Sequence, residues 1–460
     1  MTRMFRFSAL FLLAVSAAVL SAPSAGHAAI TRWAMATLAP KGMGWSIQVE
    51  QFVLPWVKDA TEDNLRFKIY YGGIMGNDED YIRKMKVGQL QAAGLTGHGA
   101  NLASKEFSAL GLPFLFKDYD EVDYVRDSMF STFDFYCQQN GYKLMLWIDQ
   151  GFDQIYSAKF RFDRLADFAE AKFQTWYGPQ EAAMLKALGA QALEIPPTDA
   201  SASYRKGVID SNIGPAIFQV GSEMFTMNKF VNTMKIRYAP AVVLVNLKDW
   251  QALPDDYQDR LEAGRDRVQK EFVAATRQDN DRSLEGMLKY GLVKVDMTED
   301  ELVPIRKKAM TVYQDLSGEL YPPELLVEVQ RYLAAYHSGA PVAAAPAPAA
   351  PREKAVAQAP APAPGPAPAP VAAQPAAKVL KLSDLAGKVP PAADSSSWAR
   401  RKHEILQVQA ILKEMGLYSS TLDGIYGPMT RQGVMQYQKA AGLRASGSID
   451  DRLLKAMGIR

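Results

Sequence analysis

A long run of alanine and proline divides this chain into two parts that can fold. Of its 27 prolines, 13 fall between residues 340 and 395, in stretches such as APAPAPGPAPAPVAAQPAA. Such a segment cannot bury enough apolar surface to form a core, and its composition is typical of a semi-rigid tether with polyproline II character. We therefore expect a linker at 340–395, a large unit at 29–339 and a small unit at 398–460.

The first 28 residues have the pattern of a cleaved export signal. Arg3 and Arg6 precede an apolar run at 9–20 that is too short to span a bilayer, and Gly26 and Ala28 suit cleavage after residue 28. A membrane anchor that is never cut is the alternative. Since the two arginines account for the net charge of +2, the mature chain is about neutral and no nucleic-acid partner is expected. The expected location is the periplasm.

Residue types that carry covalent or metal chemistry are sparse. The chain has four histidines and one cysteine, and it lacks the motifs G-x-S-x-G, H-E-x-x-H and C-x-x-C. Cys137 lies on the apolar side of a predicted helix and is expected to be a small buried residue. A catalytic pair of Cys137 with His98 is the minor alternative. The sequence therefore predicts no enzyme activity, no cofactor and no metal site.

The large unit alternates between strand-like and helix-like segments, which indicates an α/β architecture. Its last part, at about 255–290, is a single long helical stretch. The predicted strands are ITRWAMATL, LRFKIYY, YKLMLWI, AKFQTW, VIDSNIG and AVVLVN.

The small unit at 398–460 has the pattern of three short helices. In its first helix, Ile405, Val408, Leu412 and Met415 share one face, and Gly416 ends the helix. An Asp-Gly turn and a proline precede the second helix. A small all-α domain of about 60 residues is therefore expected, which is feasible although marginal in size.

The large unit resembles the periplasmic solute-binding proteins of tripartite ATP-independent periplasmic (TRAP) transporters, of the DctP type. The segments that carry the resemblance follow one another in the family's order: YYGGIMGNDEDYIRKMKVGQLQAA, SALGLPFLFKDYDEV, LADFAEAKFQTW, LKALGAQALEIPPTDASASYRKGVIDS and NLKDWQALPDDYQDRLEAG. The resemblance implies a two-lobed α/β fold with a long helix. It also implies closure on one small ligand, usually an organic acid, and delivery to the membrane subunits of a TRAP permease.

Three positions depart from the family's pocket. Gln174 stands where the family has its main carboxylate-binding arginine, Asp153 stands where a second arginine is frequent, and Gly214 stands at a pocket asparagine. Since an arginine fork gives a carboxylate two charge-assisted bonds, a standard C4-dicarboxylate is not the expected ligand.

The remaining polar and aromatic residues suit a neutral or cationic ligand, with Asp153 beside Trp176 or Tyr177 attracting a cation by charge and ring face. In the alternatives, the two aromatic residues only pack the hinge, or Asp153 points to solvent. The full candidate set for ligand binding is Asp153, Gln174, Trp176, Tyr177, Asn212, Gly214, His98 and Lys41.

The small unit is similar to the peptidoglycan-binding domain type 1. The likeness extends over ILQVQAILKEMGLY and LDGIYGPMTRQGVMQYQKAAGLRASGSIDDRLLKAMG. It implies that peptidoglycan is a partner and that the exported protein associates with the cell wall. The residues carried over are Asp423, Gly424, Tyr426, Gly427, Thr430 and Gln438, which could also serve mainly to build the domain.

The sequence leaves three hypotheses for the whole chain. The first is a TRAP solute-binding component retained on peptidoglycan. The second is an adaptor or regulator at the cell wall that uses the two-lobed domain to bind protein, without transport. The third, with the least support, is an enzyme that modifies the wall.

Overall fold

The computed structural model describes residues 30–339, 380–385, 397–419, 422, 424, 426, 428–445, 447 and 449–460. The predicted export signal at 1–28 and most of the predicted linker at 340–395 lie outside these residues. None of the helices in the described parts is long and apolar enough to cross a membrane.

Within the described residues, nine strands form one sheet in the order β2-β1-β3-β8-β4-β7-β5-β6, with β9 paired to β8. β1 is parallel to β2 and β3, and β5 is parallel to β6 and β7, whereas β4 and β8 are antiparallel. The strands are β1 (Thr31–Thr37), β2 (Leu65–Tyr70), β3 (Ala92–Leu95), β4 (Tyr142–Ser157), β5 (Lys172–Thr175), β6 (Gln191–Glu194), β7 (Ser211–Gly214), β8 (Phe230–Asn246) and β9 (Val293–Val295).

The two long strands β4 and β8 connect the lobes. Lobe I contains β1 to β3, and lobe II contains β5 to β7 and β9. The pairing of β4 with β8 is interrupted by register shifts at Leu144/Leu146, Asp149/Gly151 and Asp153/Ile155. Such bulges bend a strand and redirect its side chains, so the last two of them place polar groups where the strands pass between the lobes.

Helices cover both faces of the sheet. The predicted long helix at 255–290 is confirmed, and it packs on a helix of each lobe, Leu54–Ala60 in lobe I and Ala216–Gly221 in lobe II. The helices of the large unit are α1 (Trp45–Gln48), continued by a π-helical turn (Val49–Val53), α2 (Leu54–Ala60), α3 (Asp78–Lys86), α4 (Gly97–Ala103), α5 (Tyr119–Gln139), α6 (Pro179–Leu188), α7 (Pro197–Arg205), α8 (Ala216–Gly221), α9 (Leu247–Gln251), α10 (Asp255–Tyr290), α11 (Glu299–Ala309), α12 (Val312–Leu316) and α13 (Pro323–Ser338), with 3₁₀ turns at Lys105–Ala109, Leu165–Glu170 and Met224–Thr226.

Each lobe has its own apolar core. In lobe I, Trp33 and Trp56 are buried against Phe272 of α10. In lobe II, Phe162, Phe168 and Phe173 form the centre of a second cluster. Cys137 is fully buried in α5, as the sequence predicts for a small apolar side chain, and burial raises the pKa of its thiol well above the ordinary value. Separate apolar clusters in two lobes that are joined by two strands are suited to hinge motion.

The C-terminal unit is the predicted three-helix domain, called the module below. It consists of α14 (Ser397–Glu414), α15 (Pro428–Ala440) and α16 (Asp451–Ala456), and a 3₁₀ turn at Leu382–Leu385 lies beside it. Pro428 is the first residue of α15, where its missing N–H costs nothing. The side chain of Gln409 is the polar centre of the module: it accepts from the backbone N–H of Gly424 at 2.9 Å and donates to the hydroxyls of Tyr418 and Thr430.

Candidate functional site

The centre of the candidate site is a buried arginine held between two carboxylates. Nη2 of Arg237 donates to Oδ2 of Asp153 at 2.5 Å and to Oε2 of Glu181 at 2.7 Å, and Nε of Arg237 also donates to Oδ2 of Asp153 at 2.8 Å. Asp153 lies on β4 and Arg237 opposite it on β8, in register. All three side chains are at most 2% exposed. With both carboxylates ionised, this triad carries one net negative charge inside the protein.

Glu181 reaches the triad because α6 starts directly after β5. Its second oxygen accepts the backbone N–H of Trp176 at 3.3 Å, which fixes the turn between strand and helix. Tyr177, in that turn, lies flat against the guanidinium of Arg237, with 3.8 Å between the guanidinium carbon and the ring centroid. The ring of Trp176 stacks on Phe218 at 5.2 Å. The aromatic pair therefore forms one wall of the site.

Burial governs the protonation of the triad. Removal from water raises the pKa of Asp153 from 3.8 to about 6, although Arg237 opposes this shift. Burial alone would lower the pKa of Arg237, but Asp153 and Glu181 together raise it above the ordinary value. The arginine therefore stays charged, while the charge of Asp153 changes within a physiologically accessible pH range.

The prediction that Asp153 offers an unpaired negative charge to a cation is wrong, because Arg237 occupies that role. The alternative in which Asp153 points to solvent is also wrong, since the residue is 1% exposed. Sequence reasoning missed Arg237 and Glu181. The only signal was a single arginine in a strand-like segment, MKIRYAP at 234–240. Nothing in the sequence pairs Arg237 with Asp153 or Glu181, which precede it by 84 and 56 residues.

The two lobes meet over this triad. Nδ2 of Asn101, on lobe I, donates to Oε1 of Gln180, on lobe II, at 3.2 Å. A Cβ atom at Gly97 would lie 1.5 Å from the hydroxyl of Tyr177, and one at Gly178 would lie 3.3 Å from Nδ1 of His98. The cleft is thus closed, and glycines permit the close approach of its two sides.

Several buried polar atoms around the triad have no hydrogen-bond partner among the described residues. Because unpaired buried polar atoms cost free energy, their concentration at the junction of the lobes makes this junction the candidate site for a polar ligand. Hydrogen-bond donors and acceptors both occur in this set: Nη1 of Arg237, Oδ1 of Asp153, the hydroxyl of Tyr177, Nε2 of Gln180 and Oδ1 of Asn101.

Two of the other predicted ligand residues are committed to lobe II itself. Gln174 is 1% exposed and its Nε2 donates to the carbonyl oxygen of Ile195 at 3.0 Å, while its Oε1 has no partner in the described chain. Asn212 is fully buried and bonds the hydroxyl of Tyr204 at 2.7 Å and Nε2 of Gln219 at 2.6 Å. Both side chains are therefore bonded to residues of their own lobe.

The last three predicted ligand residues lie at different depths. Gly214 is buried, and a Cβ atom there would be 3.3 Å from the ring of Phe218. His98 is 17% exposed and its Nε2 lies 3.6 Å from Glu79, at the edge of the cleft. Lys41 is exposed on the loop after β1. Of the predicted ligand residues, Asp153 and Tyr177 contact Arg237 directly. Trp176 is next to Tyr177 and is bonded to Glu181 through its backbone N–H.

The predicted peptidoglycan residues are largely built into the module. Gly424 and Thr430 bond Gln409, and Gln438 accepts the backbone N–H of Gly447 at 2.8 Å. Tyr426 is 2% exposed. Asp423 and Gly427 lie outside the described residues. Within the described residues, no group of three or more His, Cys, Asp or Glu side chains is placed to hold a metal ion.

Comparison with known families accounts for both folded parts. Residues 36–319 match the model of the bacterial extracellular solute-binding protein family 7, DctP, and residues 401–457 match the putative peptidoglycan binding domain. The chain is 21% identical over 242 residues to the 2,3-diketo-L-gulonate-binding periplasmic protein YiaO of Escherichia coli, covering 51% of this chain and 72% of that protein. It is 21% identical over 289 residues to the C4-dicarboxylate-binding periplasmic protein DctP of Rhodobacter capsulatus, covering 61% and 84%.

Solved structures have the same two-lobed fold. The sugar acid binding protein DctPAm of Advenella mimigardefordensis, in complex with galactonate, superposes with a TM-score of 0.62 at 18% identity, over 66% of this chain and 98% of that one. A TRAP periplasmic solute binding protein of Ochrobactrum anthropi gives a TM-score of 0.61 at 21% identity, over 68% and 97%. Since the family match covers more than half of its length, this chain belongs to the bacterial extracellular solute-binding proteins of family 7.

Proposed function

We propose that the protein is the periplasmic solute-binding component of a TRAP-type transporter and is retained on peptidoglycan by its C-terminal module. The family match, the two-lobed fold and the relatives' names support the first part. The second match supports the second part. Such a component binds, closes and delivers its ligand to the permease, and no covalent step is required.

The proposed ligand is a small polyhydroxylated solute with at most one negative charge, rather than a C4-dicarboxylate. The observation that carries this is the triad: its two carboxylates outnumber its one guanidinium, so a dianion would meet a net negative, desolvated site. Hydroxyl groups both donate and accept, as the unpaired atoms around Arg237 require. A neighbour of the same fold holds galactonate, a sugar acid with one carboxyl group.

The test is native mass spectrometry of the mature chain, followed by thermal unfolding with a ligand panel. The panel contains sugar acids, neutral polyols, betaines and succinate. A ligand at 100 times its dissociation constant raises the free energy of unfolding by about 2.7 kcal/mol. Stabilisation by a polyol or a sugar acid supports the proposal, whereas stabilisation by succinate alone or by a betaine alone contradicts the ligand class.

A Tyr177→Phe variant locates the site. It removes the hydroxyl group that has no partner in the described chain but keeps the ring under Arg237, so it should weaken ligand binding with little loss of stability. The matched control is Tyr257→Phe on α10, whose hydroxyl accepts from Asn64 at 2.8 Å away from the cleft. Equal ligand affinity of the two variants would place the ligand elsewhere.

One observation favours the adaptor as the second candidate. The hydroxyl of Tyr177, on lobe II, lies directly against Gly97, on lobe I. A two-lobed domain held closed by such a contact would present a fixed surface to a protein partner. Failure of every panel compound to bind, with no co-purified mass, would support this candidate over transport.

A further inference from the structure

The module does not stand apart from the solute-binding domain but packs on one face of it. We call this the docking face; its residues are Thr132 and Phe135 of α5 and Asp255, Gln258, Asp259 and Glu262 of α10. Helix α15 of the module lies against α5. The face belongs to lobe I and to the first turns of the long helix.

Tyr426 lies in the apolar part of this contact, where apolar side chains of the module and of α5 belong to one buried cluster. Its ring lies 5.9 Å from that of Phe135, and its carbonyl oxygen accepts from the hydroxyl of Thr132 at 2.6 Å. Burial raises the pKa of its phenol far above the ordinary value. Tyr426 is one of the residues that the resemblance to the peptidoglycan-binding domain implicates in wall binding, and here the docking face covers it.

Charges form the rest of the contact. Arg444 of the module bonds Asp259, donates to Oε1 of Gln258 at 2.7 Å and lies 3.6 Å from Glu262. Arg452 lies 3.1 Å from Asp255 at the exposed edge. Burial alone would raise the pKa of Glu262, but Lys143 and Arg444 hold it below the ordinary value. The docking face is therefore acidic and the surface that meets it is basic.

Two features indicate a reversible contact. The pair of Arg452 with Asp255 is more than half exposed on both sides, and such exposed pairs contribute little. Arg444 is more buried, but its partner Asp259 is also more than half exposed. The predicted tether keeps the module nearby, at an effective concentration on the order of millimolar, so that a weak interface suffices for docking. An open cleft of about 380 Å³ also separates part of α15 from α5 and α10, lined among others by Arg431, Met435 and Lys270.

We propose that docking and peptidoglycan binding exclude each other, so that the module must leave the docking face before it binds the wall. This inference rests on the proposed wall retention and adds its regulation. The docked protein would diffuse freely in the periplasm, and release of the module would fix it to the wall. Anything that weakens the acidic–basic contact would shift the balance towards the wall.

The test uses the full mature chain and two matched charge reversals on α10. Asp259→Arg repels Arg444 without altering the module, whereas Glu285→Arg makes the same charge change at an exposed position of the same helix beyond the docking face. Small-angle scattering reports docking, and co-sedimentation with purified peptidoglycan sacculi reports wall binding. We expect Asp259→Arg to give a more extended particle and at least roughly tenfold tighter binding to sacculi, with Glu285→Arg unchanged.

A charge swap distinguishes release of the module from damage to its fold. Arg444→Asp should also extend the particle, and the double variant Arg444→Asp/Asp259→Arg should recover compactness and the weaker wall binding in part, because residue 444 also faces Glu262. If Asp255→Arg/Asp259→Arg leaves the particle as compact as the wild type, the docking is contradicted. If extended and compact variants bind sacculi equally, the exclusion is contradicted but wall retention stands. If none binds, wall retention itself fails, and this inference with it.

Discussion

The hydroxyl of Tyr177, on lobe II, lies against the Cα atom of Gly97, on lobe I. A Cβ atom at Gly97 would be 1.5 Å from that hydroxyl and 2.9 Å from the carbonyl oxygen of Pro240. The first of these distances is far below van der Waals contact, so the closed arrangement of the cleft requires glycine at this position.

We therefore expect Gly97→Ala to hold the cleft open. The variant should show a larger radius of gyration and at least tenfold weaker ligand binding, because closure contributes the contacts of the second lobe. The control is Gly286→Ala on α10, where a Cβ atom meets open space and should add about 0.5–1 kcal/mol of stability. Normal closure and affinity in Gly97→Ala would mean that Tyr177 can move aside at little cost.

Arg237→Gln should be strongly destabilising. It leaves Asp153 and Glu181 buried without a positive partner, and breaking such a buried pair typically costs about 3–5 kcal/mol. The control is Arg267→Gln, whose pair with Glu271 is exposed and should change stability by less than about 1 kcal/mol. Chemical denaturation measures both.

Adding Asp153→Asn to Arg237→Gln should recover part of the lost stability, because one uncompensated buried charge is removed. A cost for Arg237→Gln no larger than that of Arg267→Gln would show that water reaches the triad.

The raised pKa of Asp153 predicts a specific pH dependence. Between pH 3.8 and about 6, the folded protein keeps on Asp153 a proton that the unfolded chain has released. The contribution of this group to stability is therefore most favourable at about pH 4 and below, and is lost as the pH rises through 6. Relative to wild type, Asp153→Asn should gain stability with rising pH across this window, by up to about 1.4 kcal/mol per pH unit, and the difference should be constant above it.

Urea denaturation from pH 4 to 8 measures this difference. Asp63→Asn is the matched control, because the hydrogen bond from Arg66 lowers the pKa of Asp63. Its stabilising contribution is present above pH 3.8 and is lost only in stronger acid, so this variant should show no slope between pH 4 and 6. A flat difference for Asp153→Asn would mean that Arg237 keeps the carboxyl ionised throughout.

The architecture could be predicted from the sequence because most elements have clear local signals. The long helix was expected at about 255–290 and is found at Asp255–Tyr290, and the three helices of the module follow their apolar spacing. The full length of β4 and β8 could not be predicted. The apolar run of β4 is interrupted by Asp149 and Asp153, and that of β8 by Arg237. Charged residues inside a segment favour the prediction of a loop unless their buried partners are known.

The candidate site was less predictable for the same physical reason. A charge that looks available in the sequence can be neutralised by a residue far away in the chain, as Arg237 neutralises Asp153. The docking of the module was not predictable either, because its contacts join side chains separated by a segment with no folding signal. Composition identifies the tether, but it does not show which surfaces of the module and of the solute-binding domain meet.

The module offers the last prediction, since its polar core depends on one side chain. Gln409 accepts from the backbone N–H of Gly424 and donates to the hydroxyls of Tyr418 and Thr430, all of them buried. Gln409→Leu leaves these groups without that partner, which costs about 1–3 kcal/mol for each buried group that finds no replacement.

A domain of about 60 residues has little stability to lose, so hydrogen exchange in 404–458 should become fast while the solute-binding domain keeps its protection. Gln407 lies on nearly the opposite face of α14 from Gln409 and is only half-buried. Gln407→Leu is therefore the control and should leave hydrogen exchange unchanged. Intact protection in Gln409→Leu would mean that apolar packing alone holds the module together.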